Sequence, residues 1–153
     1  MKRLSSYILL VLTGLIFIGV TSASAQKIMK QKPIMWAAED IKWEDVKGGP
    51  PGIMAAKLWG DMTRGAYGDL VKFSPNQQHP LHIHTSDIRV VVITGSFVTG
   101  PEGGPEKAYG PGSYLLVPGG WRHTSGAGAD GCTIFQEQSA KFDMKQVKPK
   151  GKK

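Results

Sequence analysis

The chain has 153 residues, 41% hydrophobic and 20% charged, with a formal net charge of +7 and one cysteine. This length supports one domain with one core, and the lone Cys132 excludes an intramolecular disulfide. The positive charge does not mark a specific nucleic-acid binder, because Gln26 to Ala140 carries eleven Lys/Arg against eleven Asp/Glu.

In chain order, Met1-Lys2-Arg3 precedes an apolar run from Tyr7 to Val20, and Ala23-Ser24-Ala25 follows. A basic start, a short apolar stretch and an Ala-x-Ala site read as a secretory signal over residues 1–25. The run of fourteen residues falls short of the about 20 that span a bilayer. The expected product is exported, to the periplasm or the extracellular space, with no transmembrane segment after cleavage. Residues 26–50 form an arm ending in the breaker cluster Gly48-Gly49-Pro50-Pro51-Gly52. Residues 51–143 form the main domain.

Helical periodicity is nearly absent from that domain. Short β-rich runs punctuated by Gly and Pro predict strands at Ile53–Trp59, Tyr67–Phe73, Leu81–His84, Arg89–Thr94, Ser113–Val117 and Cys132–Gln138. The fold class is therefore all-β, a sandwich or barrel. Between the fourth and fifth strands, residues 100–107 hold three Gly, two Pro and three charges, the composition of a solvated surface loop. Residues 144–153 form a basic tail, and the last thirteen residues set six lysines against Asp143 alone. Such a tail can touch an anionic surface, and a frayed, solvated end is its expected state.

All four histidines lie between His79 and His123. Residues i and i+2 of a strand share a face, so His82 and His84 aim both imidazoles at one point. His123, delivered from a distant strand, completes a three-sided metal site. His79 has the opposite parity to His82 and precedes Pro80, so it is expected at the rim and not among the ligands, a supporting or pocket candidate with Gln136 and Ile88. Alternation on the last strand places Cys132, Ile134, Gln136 and Gln138 on one face, and Gln136 is a candidate polar group in the pocket. Arg122 is expected exposed, and Asp87 turned away from the site.

The segments His82-x-His84, followed by an apolar strand and Gly95, and Gly112-x5-Pro118-x-Gly120-x2-His123 resemble the paired motifs of the cupin superfamily, in order and in spacing. The run Asp87–Gly95 is similar to small single-domain cupins of uncharacterised function and to zinc-binding cupin domains of some anti-sigma factors. The resemblance implies a double-stranded β-helix, or jelly roll, with a metal inside the barrel mouth. It also implies a glutamate ligand four residues after the second histidine, where this chain has Ile88.

Three neutral imidazoles without a carboxylate suit zinc or iron, with nickel or copper next, better than manganese or magnesium. The expected function is binding of a divalent transition metal and of a small molecule in the barrel, with turnover of that molecule left open. The alternative is a non-catalytic binding or sensing module. Many cupins pair through their sheets, so a homodimer is a further expectation.

Overall fold

The computed structural model describes residues 32–151; the expected signal segment lies outside them. Contacts within the chain make Met35–Lys153 one compact unit. Among the described residues, no helix is long and apolar enough to cross a membrane.

A short 3-10 turn at Ala38–Asp40 precedes strands β1 (Glu44–Asp45), β2 (Ile53–Gly60), β3 (Tyr67–Phe73) and β4 (Gln78–Ile83). Then come β5 (Ile88–Pro101), β6 (Lys107–Tyr109), β7 (Tyr114–Val117), β8 (His123–Gln138) and β9 (Lys145–Gln146). All pairings are antiparallel. The C-terminal half of β8 pairs with β3 and the start of β5, while its N-terminal half pairs with β4 and the end of β5. The two long strands thus run through both halves of a curled sheet, which gives the expected jelly roll.

These strands outrun the predicted ones because glycines interrupt the apolar runs without ending the pairing. Gly95 and Gly131 sit where β5 and β8 turn the corner, with φ of +68° and +71°. A Cβ on Gly95 would lie 2.1 Å from the Gly131 carbonyl oxygen. Only glycine takes that backbone at that distance.

Alternation fixes what is inside. Ile88, Val90 and Val92 of β5 are buried while Arg89, Val91 and Ile93 are exposed. Leu115 and Val117 of β7 and Ile134 of β8 complete this wall of the core. Each such side chain contributes about 1.5–3 kcal/mol by leaving water. Cys132 belongs to the same cluster, and burial pushes its thiol up to about 12, so it is an unreactive packing residue.

Two expectations need correction here. The tail is not frayed through Lys150. Its β9 pairs with β4, setting Gln146 opposite His82, and the Val147 N–H donates to the Leu81 carbonyl at 3.1 Å. An edge strand carries unpaired backbone groups, and the lysine side chains stay solvated while their backbone fills that edge. Nor is Arg122 a free loop arginine. It donates twice to Glu102, at 2.5 and 3.2 Å, and once to the Lys148 carbonyl at 2.6 Å. Glu102, expected in a solvated loop, also accepts from the Lys150 N–H at 2.6 Å. These bonds hold its carboxyl down to about 2.

Candidate metal centre

The turn before His123 is docked onto the segment after His84. The Gly120 N–H donates to the His84 carbonyl at 2.8 Å, and the Gly119 N–H to Asp87 Oδ1 at 2.8 Å. Asp87 faces away from the imidazoles, as expected, and has this structural task. The two histidine segments are thereby held together with His82 paired opposite His123.

The three imidazoles of His82, His84 and His123 are all buried, and one ring nitrogen from each lies within 4.8 Å of the others. Ring centroids are 4.3 Å apart for His82 and His123, 5.0 Å for His82 and His84, and 5.4 Å for His84 and His123. Every Nδ1 meets a backbone carbonyl: Pro80 for His82 at 2.7 Å, Asp143 for His84 at 2.5 Å, and Trp121 for His123 at 2.8 Å. A carbonyl only accepts, so each Nδ1 carries the proton and each Nε2 keeps its lone pair. That is the tautomer a metal requires.

Burial reinforces this state by disfavouring the imidazolium. It depresses His82 and His84 against the opposing pull of their carbonyl partners, and takes His123 to about 4. Trp121 stacks flat on His123, with centroids 4.6 Å apart and planes 8° from parallel. Phe142 packs on His84 at 5.4 Å. The donor set therefore fits a divalent transition metal.

The imidazoles open onto a cavity of about 580 Å³ whose wall includes Ile88, Val90, Phe97, Val117 and Ile134. Ile88 occupies this wall, 4% exposed, and brings no carboxylate. The Asp143 carboxylate lies at the mouth and is engaged elsewhere. Burial opposes its ionisation, yet bonds from the Thr85 N–H and hydroxyl and from Lys145 hold it at about 2.

His79 does not sit at the rim. It is 7% exposed and lines the cavity. The register steps from His79 opposite Ser125 to His82 opposite His123, three residues against two. This bulge contains Pro80, which cannot donate to the ladder, and it turns both histidines to the same face. His79 Nδ1 lies 3.2 Å from Ser125 Oγ, its Nε2 has no partner, and its ring centroid is 6.3 Å from that of His82. Burial, with His82 and His84 nearby, lowers it to about 4.

Gln136 also lines the cavity, held by a relay. Its Nε2 donates to the Tyr67 hydroxyl at 3.4 Å, Tyr67 to Gln138 Oε1 at 3.2 Å, and Gln138 Nε2 to the Ser86 carbonyl at 3.2 Å. No sequence motif marks Ser125, the Asp143 carbonyl or Asp69. Alternation along β3 alone puts the Asp69 carboxylate on the inner face with Tyr67 and Val71.

Solved structures of this shape share 16–23% identity with the chain and identify its fold. The polyketide cyclase RemF from Streptomyces resistomycificus matches with a TM-score of 0.60 at 23% identity, over 79% of this chain and 87% of that one. A protein of unknown function with a cupin-like fold from Ralstonia eutropha JMP134 matches at 0.60 and 22%, over 74% and 77%. The DMSP lyase DddQ from Ruegeria pomeroyi DSS-3 matches at 0.57 and 16%, over 73% and 64%. No curated protein matched the sequence. The jelly roll is that of the cupins, and since residues 34–150 match the family described as "Domain of unknown function (DUF4437)", the chain belongs to that family.

Proposed function

We propose that this chain is an exported single-domain cupin in which His82, His84 and His123 hold one divalent transition metal, zinc or iron foremost, beside a bound small molecule. The observation that carries this reading is the set of three Nδ1-to-carbonyl bonds, which leaves each Nε2 with a free lone pair in a buried cluster whose ring nitrogens lie within 4.8 Å. When bound, such an ion polarises an oxygen of the small molecule or acidifies a water.

The chain's own residues do the rest. The apolar wall excludes water. The amide of Gln136 and the unpartnered Nε2 of His79 offer hydrogen bonds to the molecule, and Lys47 and Lys141 stand in the lining. Two proteins of similar fold are named as a cyclase and a lyase, which supports a small-molecule occupant. Pairing into a homodimer through the outer face of β5 and β7 belongs to the same reading.

Elemental analysis of the purified protein tests it: stoichiometric metal in wild type and none in a folded His84→Ala. Wild type without a transition metal, even after incubation with zinc and iron(II), would overturn it. A second reading, a non-catalytic sensing module, is favoured by Ile88, which removes the carboxylate that would serve as ligand or base. Metal-dependent turnover lost in His123→Ala would decide against that module.

A further inference from the structure

We propose that a second cavity, between residues 36–47 and strands β2 and β3, binds a small molecule carrying a primary ammonium group, with Asp69 as its anchor. The cavity holds about 810 Å³ and Asp69 stands in its wall. Asp69 is 2% exposed, and its Oδ1 has no hydrogen-bond partner. A buried acceptor without a donor costs about 1–3 kcal/mol. The position is therefore built for a donor that its neighbours do not supply.

Its register partners are Lys57 on β2 and Gln136 on β8. Gln136 turns its amide donor to Tyr67. Among the described residues, the ion pairs do not join Lys57 to Asp69. Burial raises the Asp69 carboxyl to about 6, with Lys57 opposing and Asp61 adding to the rise, so the group is ionised in mildly alkaline solution.

The surroundings choose the ligand class. Five carboxylates line the cavity against three lysines, which favours a cation. A hard metal ion needs several oxygens converging on one point, and the imidazole triad is the convergent group found among the described residues. An ammonium needs only acceptors within reach of its three N–H donors, and such charge-assisted bonds are the strong ones. Trp36, Ile41, Leu58 and Met62 give an apolar wall for a short alkyl body. The Trp36 indole is pinned there by its Nε1–H, which donates to the Leu58 carbonyl at 3.3 Å. This cavity shares Val46, Lys47, Ala55, Met62 and Thr63 with the imidazole cavity but none of the histidines.

Calorimetric titration of the full chain with n-butylammonium chloride, at mildly alkaline pH and low salt, tests the proposal against n-butanol and butyrate. Saturable binding is expected in wild type and in His123→Ala, weakened at least about tenfold in the near-isosteric Asp69→Asn. Should Asp69→Asn not fold, tryptophan emission decides: butylammonium shifts it in wild type, and the shift disappears in Trp36→Phe. The proposal is overturned by absent binding in wild type, equal binding in folded Asp69→Asn, equal binding of n-butanol, loss of binding in folded His123→Ala, or a shift that survives Trp36→Phe.

Discussion

His84 donates its Nδ1 proton to the backbone carbonyl of Asp143, 2.5 Å away and 59 residues downstream. One of the three clustered imidazoles is thus aimed by the C-terminal segment and not by its own strand. Asp143 is itself fastened by Thr85 and Lys145, and the residues after it by Arg122 and Glu102. Asp143→Ala should leave the barrel folded and loosen this strap. Supporting partners of ligating histidines typically contribute 10–100-fold in metal affinity, so a loss of about tenfold in zinc affinity is expected by chelator competition. In Arg122→Ala, amide exchange over residues 145–150 should quicken while the core of β5 and β8 stays protected.

The pH dependence of metal-free stability carries two opposed contributions. Burial depresses His79 from 6.5 to about 4, so its contribution is present above pH 6.5 and is lost as pH falls towards 4. Burial raises Asp69 from 3.8 to about 6, so its contribution is present below pH 3.8 and is lost as pH rises through 6. The two slopes oppose each other over the same window. Asp69→Asn should therefore steepen the rise of stability from pH 4 to pH 6.5 and raise stability at pH 8 by on the order of 1–2 kcal/mol. His79→Gln should flatten that rise. Denaturant titrations at several pH values measure both, and identical slopes in the three proteins would refute the assignment.

The wall position Ile88 invites the reverse substitution. Ile88→Glu places a carboxylate in the cavity beside neutral imidazoles and removes a core side chain that is 4% exposed. The metal-free protein should lose about 2–4 kcal/mol, from lost apolar burial and an uncompensated buried charge. With metal the carboxylate gains a partner, and a hard ion such as manganese should gain affinity relative to zinc. Thermal midpoints with and without manganese are the measurement. A variant that manganese fails to stabilise more than wild type would show that position 88 does not reach the imidazoles.

Much of this was legible because strands have a strict period of two. That period puts His82 and His84 on one face, while the resemblance of Gly112, Pro118, Gly120 and His123 to the second cupin motif is what implied the jelly roll. The same rule failed at His79, where a bulge at Pro80 inserts one residue and inverts parity. Composition misled at the tail, because it reports the solvated lysine side chains and says nothing of the backbone that pairs with β4. Arg122 was misplaced for a similar reason: Glu102 lies twenty residues away, and no local pattern announces the pair. Asp69 was readable by alternation, but its missing partner is a property of three dimensions.

The outer face of β5 and β7 bears on oligomeric state. Val91 is paired opposite Tyr114, and Arg89 opposite Leu116. Val91, Ile93, Tyr114 and Leu116 are all exposed, Tyr114 by 60%. Contiguous apolar side chains on a sheet face lower their free energy by leaving water, at roughly 25 cal/mol per Å², and a self-complementary patch is what a two-fold dimer requires. Wild type should sediment as a dimer. Leu116→Lys in one variant and Tyr114→Lys in another place like charges across the two-fold and should each shift the protein to monomer, with the metal content of the imidazole site unchanged. Sedimentation velocity over a concentration series measures the shift. A wild type that stays monomeric throughout would assign this face to another partner or to solvent.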